Sequence, residues 1–438
     1  MFPLAAPTTT LTPVTAEPTP PSQADPRPHS AYSVLRNRDL ALYLSGRFAA
    51  SIGQQMLTVA VGWELYERTG SKLALAFVGL TQMIPMLLFT LPAGHVADNF
   101  ARKRIILWMT AIIACASVGL ALISWFEAPV FWTYFCLFVA GCGRTFLWPA
   151  SSAFLPHLVS REDFPKAVNW SGGSFHLSSV AGPATGGAVI ALTHHAAPVY
   201  AINALAAVLC LMLIGLIRHE HKVVLREKMT LRNLLVGFKF VFANQVVLGT
   251  ITLDLFAVLL GGATALLPVY AKDILRVGPE GLGFLQAALP LGSLACAFWL
   301  AHRPPMQKAG RDLLLAVAMF GVATIVFGVS QWFWLSMAML FACGALDHIS
   351  VVVRHTLVQL LTPDAKRGRV SAVNALFIGT SNELGGFESG VVAHLLGPVF
   401  SVVSGGVGTI VVVLLVAWFW PGVRKFGRLE ATEPDPGK

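Results

Sequence analysis

Among the ionisable side chains inside long apolar runs, Arg144, Asp254, Asp347, Glu383 and Glu388 are the ones whose chemistry could serve a function. A charge at the centre of a bilayer costs about 2.5–3.5 kcal/mol on insertion scales, so each needs a partner, a proton or a wet cavity. A carboxyl in a low dielectric can load and release a proton, which makes Glu383, Asp347, Asp254 and Glu388 candidates for proton coupling. Glu383 comes first, because its depth is closest to a midplane cavity. The alternative is a fixed hydrogen bond to Asn382 or to a neighbouring helix. Arg144 and Asp347 are candidates to contact a substrate, or else partners in a salt bridge that only stabilises one conformation. Asp347 and Arg354 are seven residues apart and return to nearly the same helix face, with His348 and His355 one position on. Arg354 lies nearer the end of its run, where a structural role is favoured. Gln54, Gln55, Gln82, Asn382 and His176 complete the polar set, His176 as a relay or as a hydrogen-bonded packing residue. Glu64, Trp63, Trp332, Phe333 and Trp334 fall near run ends and are expected at the membrane interface.

The elements that position these groups follow from composition. Charged residues make up 12% of the chain, about half of the ~25% usual for soluble proteins, and hydrophobic residues 55%. Runs long enough to cross ~30 Å of hydrocarbon recur twelve times. They cover 40–66, 73–97, 104–125, 130–157, 166–192, 197–217, 246–271, 281–301, 312–329, 332–358, 370–394 and 398–420. Many contain Gly and Pro, which membrane helices tolerate. The expected fold is an all-α integral membrane protein of twelve spans in two six-helix bundles, over 34–217 and 246–420. A Pro-rich tail (1–33), a cytoplasmic linker (218–245) and a second tail (421–438) surround them. Within the linker, residues 231–240 have the spacing of an amphipathic helix on the inner leaflet.

The net charge of +9 is distributed by membrane topology. With the N-terminus inside, only Arg68, Lys72, Lys272 and Arg276 fall in outer loops, and only Arg47, Arg144 and Arg354 within spans. The remaining Lys and Arg are cytoplasmic, so both termini are expected inside. No basic stripe interleaves with exposed aromatics, so nucleic acid is not an expected partner. The six cysteines all fall in spans, form no Cys-x-x-Cys pair and read as small packing residues. There is no nucleotide-binding loop and no metal-spaced His/Cys cluster. An enzyme is not expected, nor any cofactor beyond a proton gradient as driving force.

The loop between the second and third runs reads Gly94-His95-Val96-Ala97-Asp98-Asn99-Phe100-Ala101-Arg102-Lys103. It resembles the signature loop of the major facilitator superfamily, with Ala101 in place of the second Gly. The resemblance implies that Gly94, Asp98, Arg102 and Lys103 form a gating loop that latches the two bundles on the cytoplasmic side. Its partner would be the start of span eleven. It further implies that spans one, four, seven and ten line a central cavity. Span five carries Gly182-Pro183-Ala184-Thr185-Gly186-Gly187, which is similar to the superfamily's antiporter motif, with Ser178 replacing the preceding Gly. The alternative there is a packing kink with no bearing on direction.

The halves echo one another: Leu137-Phe138 and Arg144 against Leu340-Phe341 and Asp347, Ala167-Val168-Asn169 against Ala372-Val373-Asn374, Gly79 and Gln82 against Gly283 and Gln286. The segments 62–71 and 353–370 resemble the superfamily branch of transmembrane secretion effectors, which includes siderophore and macrolide exporters. Together these features imply a monomeric secondary transporter of the inner membrane. It would export a small amphipathic organic molecule, siderophore-like or drug-like, by alternating access with proton antiport. Uptake of a solute by the same fold and a non-transporting sensor or scaffold are the competing readings.

Overall fold

The computed structural model describes residues 32–218, 238–304 and 306–427. Both tails and most of the expected amphipathic helix at 231–240 lie outside these residues. Residues 238–243 are helical, and Phe238 and Phe240 pack on a small cluster around Val241. Among the described residues there are helices and no strands.

Twelve long helices follow one another: α1 (Arg38–Thr69), α2 (Lys72–Asn99), α3 (Arg102–Trp125), α4 (Val130–Phe154), α5 (Phe164–Thr193), α6 (Ala197–Gly215), α7 (Gln245–Ile274), α8 (Gly278–Ala301), α9 (Ala309–Val329), α10 (Phe333–Leu361), α11 (Asp364–Leu396) and α12 (Pro398–Phe419). Ten are long and apolar enough to cross a membrane by length and composition, and the chain is a multi-pass membrane protein. The two that miss this criterion, α1 and α11, are the longest. They are more polar because they carry Gln54, Gln55, Asn382 and Glu383. Local chemistry sets the ends. The Asn37 side chain accepts from the amides of Asp39 and Leu40 to start α1, and Asn244 does the same for Val246 and Val247 at α7. Each such cap contributes about 0.5–2 kcal/mol. Gly70 closes α1 with φ +61, a conformation that disfavours a side chain.

The helices pack as two matching sets. In the first, α1 touches α5 and α6, α3 touches α4 and α6, and α2 touches α4. In the second, the same five pairings recur between α7 and α11, α7 and α12, α9 and α10, α9 and α12, and α8 and α10. Two seams join the bundles, α2 against α11 and α5 against α8, and they exchange under the pseudo-two-fold. The Gly79/Gly283 echo has its cause here. A Cβ on Gly79 would stand 2.6 Å from the Glu383 carbonyl, and one on Gly283 2.5 Å from that of Pro183.

The hydrophobic core is divided unequally along the axis. Odd-numbered helices run from the end bearing the chain termini to the far end. Near the far end one apolar cluster draws residues from both bundles, including Met56, Tyr66, Leu75, Tyr270, Leu285 and Ala393. Toward the termini end the clusters belong to one bundle each, around Ile106 and Phe154 in the first and around Leu313 and Leu357 in the second. The bundles are fused at the far end and packed separately at the other.

Two expectations need correction. Trp63 is not an interface anchor: it is 7% exposed in the shared core, with the Lys272 ammonium 6.0 Å from its ring centroid. The loop expected over 94–103 is mostly helix: α2 continues through Gly94 to Asn99 and leaves a turn of two residues before α3. Ala101, standing where the superfamily has Gly, has φ −60 and ψ 110, which any residue adopts.

Candidate functional site

A cavity of about 470 Å³ lies between the bundles, within the usual range for small-molecule sites. Its walls come from α1, α2, α4 and α5 of the first bundle and α7, α8 and α11 of the second. α10 contributes nothing, contrary to the expectation of spans one, four, seven and ten. The reason is that the bundles meet along the α2–α11 and α5–α8 seams, and the cavity sits on those seams.

Arg144 on α4 and Glu383 on α11 are the only charged side chains in the lining among the described residues. Arg144 donates from Nη2 to the Gln82 side chain on α2, which aims the guanidinium at the space between bundles. Glu383 lies within electrostatic range of Arg144, yet the two make no ion pair within 4.0 Å. The alternative of a Glu383–Asn382 hydrogen bond is not formed: the Asn382 amide donates 2.8 Å to the Ile378 carbonyl of its own helix. Gln54 and Gln55 line the α1 wall, and the Gln55 amide donates 3.0 Å to the Ser179 hydroxyl on α5. The expected residues Arg144, Gln54, Gln55, Gln82, Asn382 and Glu383 are thus brought together.

Four others lie elsewhere. Asp254 is 8% exposed and forms an ion pair with Arg354, itself 3% exposed, inside the second bundle. It therefore faces α10 and not the cavity, and the structural role read for Arg354 has its partner. Asp347, on the same helix, is part-buried away from the lining. His176 is also outside the lining, in electrostatic range of His348. Glu388 accepts a 3.4 Å hydrogen bond from Ser389, beyond the cavity toward the far end.

Sequence reasoning missed Gln286 and Thr264. Gln286 was visible as the echo of Gln82 but was not read as a wall residue. Thr264 belongs to a break in α7, where Gly261 and Gly262 interrupt the helix before a 3-10 turn, Ala263–Leu266, and a π-helical turn, Tyr270–Ile274. Irregular backbone is tolerated at membrane depth where it is buried in protein or lines a cavity, and the Gly-Gly pair was the signal for it.

The antiporter-like segment packs three helices. A Cβ on Gly182 would meet Gln55, one on Gly186 would lie 2.9 Å from Met56 Cα, and one on Gly187 would strike the Pro279 carbonyl of α8. Pro183 lies on the cavity wall. Beyond the cavity, the Tyr66 hydroxyl donates to Asp273, joining α1 to α7 at the far end. Lys272 stands 5.8 Å from the Tyr66 ring centroid. At the termini end, Arg102 donates 3.3 Å to the Ala153 carbonyl and pairs with His157. Lys103 donates to the carbonyls of Gly215 and Ile217 at 3.0 and 2.6 Å. These bonds hold the α2–α3 turn to its own bundle. Asp98, in the last turn of α2, has no side-chain hydrogen bond or ion pair among the described residues.

Known proteins give this geometry a family. The chain is 26% identical over 396 residues to "Enterobactin exporter EntS" of Escherichia coli O1:K1 / APEC, covering 88% of this chain and 92% of that protein. The corresponding protein of Shigella boydii serotype 4 is 27% identical over 395 residues, with the same coverage. Among solved structures, a bacterial homologue of the iron transporter ferroportin in an inward-facing state aligns with TM-score 0.70 at 15% identity, covering 90% of this chain and all of that one. A POT family transporter in complex with 5-aminolevulinic acid aligns with TM-score 0.71 at 12% identity, covering 89% and 97%. Both structural likenesses speak to the fold alone. The sequence model of one family, described as "Transmembrane secretion effector", matches residues 29–430. The chain belongs to that family, a branch of the major facilitator superfamily, and is a membrane transporter and not an enzyme.

Proposed function

We propose that this transporter exports a small amphipathic organic molecule across the inner membrane by alternating access, in exchange for protons. The observation that carries this reading is the cavity that holds Arg144 from one bundle and Glu383 from the other. A site whose opposite charges belong to the two moving bodies changes its electrostatics whenever those bodies rock. Glu383 is the proposed proton carrier, and the Tyr66–Asp273 contact the proposed far-end gate.

Orientation follows from charge: the basic residues crowd the termini end, so that end is assigned to the cytoplasm and the far end to the outside. Among the described residues the apolar cluster shared by both bundles lies at the far end, so the cavity is poised to load from the cytoplasm. The fold does not set direction. The relatives' description as exporters favours outward movement, as does the Gly182–Gly187 segment.

Everted membrane vesicles with an acidified interior test the reading. They should accumulate substrate, and a protonophore should abolish the accumulation. Accumulation only in right-side-out vesicles would replace export by uptake.

A further inference from the structure

The cargo's chemical class can be narrowed from the cavity's walls. The chain contains 28 Phe, 11 Trp and 6 Tyr, yet among the described residues none of them lines the cavity. Aromatic side chains instead stand exposed on the bundles, as at Trp108, Trp148 and Trp418, or fill the far-end core, as Trp63 and Tyr270 do. Planar aromatic and delocalised cationic molecules are held by stacking and cation–π contacts. This cavity offers neither.

What it offers is of two kinds. An aliphatic wall is formed by Leu57, Val61, Leu75, Leu137, Leu267 and Leu289. The polar wall presents primary amides from four helices, Gln54, Gln82, Gln286 and Asn382, beside one cation and one anion. An amide donates and accepts, so it suits neutral amide or hydroxyl groups. Arg144 uses one of its nitrogens on Gln82 and keeps the rest of a planar fork, which matches a carboxylate. Glu383 lines the same space without closing an ion pair on Arg144. Two unlike charges left apart in a common cavity are complementary to a molecule that carries both.

We propose that the cargo is a zwitterionic, non-aromatic amphiphile, an aliphatic amino-acid derivative or short peptide. Its carboxylate pairs with Arg144, its ammonium pairs with Glu383, and its amides meet the Gln and Asn side chains. The inference rests on the transport reading and adds a reason for exchange. A proton on Glu383 and the ammonium of the cargo satisfy the same carboxylate, so one leaves when the other binds. Among the described residues no other charged side chain in the lining competes with either.

The test is binding to the purified full-length protein, without any gradient. Five probes are compared by calorimetry: leucyl-leucine, its N-acetyl form, its C-terminal amide, the N-acetyl amide and tetraphenylphosphonium. Leucyl-leucine should bind at least about tenfold more tightly than either singly charged form, as expected for one charged hydrogen-bonded contact. Arg144→Gln should erase its advantage over the C-terminal amide, and Glu383→Gln its advantage over the N-acetyl form. Each variant reads a different charge, so Glu383→Gln still decides if Arg144→Gln does not fold. Equal binding of the singly charged forms, tighter binding of tetraphenylphosphonium, or no binding of any peptide probe would overturn the proposal. None of these readouts depends on transport direction, so a failure of the vesicle experiment stays distinguishable from a failure here.

Discussion

Glu383 and Glu388, both on α11, are placed differently enough to separate a proposed proton carrier from a residue that only packs. Glu383 lines the cavity, whereas Glu388 accepts from Ser389 outside it. Glu383→Gln imitates a permanently protonated acid. It should abolish pH-driven uphill export while leaving downhill flux or exchange detectable, and Glu388→Gln should change both much less. Paired flux measurements in proteoliposomes decide this, and uphill export that survived in Glu383→Gln would remove the residue as coupler. The buried Asp254–Arg354 pair has a different consequence. Removing one member of such a pair leaves the other uncompensated, at a cost of about 3–5 kcal/mol. Arg354→Met should therefore lower the melting temperature sharply, and Asp254→Leu added to it should restore much of the loss. An unshifted melt in Arg354→Met would deny the pair its structural role. These residues also mark the limit of sequence reading. Polar side chains in apolar runs announced that Arg144, Gln82, Glu383 and Asp254 matter. Which of them share a space depends on helix rotation, and that is fixed by packing partners distant in sequence.

Among the elements, α2 carries a built-in tension. Asp98 sits in its last turn, at the negative end of the helix dipole, where an acid is disfavoured by about 0.3–1 kcal/mol. The first turn of α11 carries the opposite end of a dipole and is the proposed docking place when the cytoplasmic side closes. Asp98→Asn should leave expression and substrate binding near normal and slow turnover severely, as measured by transport rate against equilibrium binding. A collapse of affinity with an unchanged conformational equilibrium would defeat the latch. At this scale the sequence was most informative where spacing repeats. The twelve runs correspond to twelve helices, ten of them long and apolar enough to span by composition and two, α1 and α11, recognisable by length despite their polar residues. The run 246–271 keeps the length of a span and so conceals the break at Gly261 and Gly262, through which Thr264 reaches the cavity wall.

For the whole molecule, the unequal core describes a conformational balance. The shared apolar cluster at the far end must separate before the cavity can open there, and the Tyr66–Asp273 contact must part with it. Tyr66→Phe should shift the population toward outward opening, seen as faster labelling of a cysteine introduced at Thr58 from the outside. Unchanged labelling would show that the apolar packing alone sets the gate. Nothing in the linear sequence gave this balance, because the same twelve helices serve either arrangement. The echoes of Gly79 by Gly283 and of Gln82 by Gln286 gave only the symmetry.

That symmetry has a mechanical meaning. The α2–α11 and α5–α8 seams exchange under one two-fold, and each is a close crossing in which a backbone carbonyl rests on a glycine. In the proposed rocking motion, two such tight crossings related by one axis would serve as paired bearings of a single rocker. On that reading, a pin driven through either bearing should arrest both.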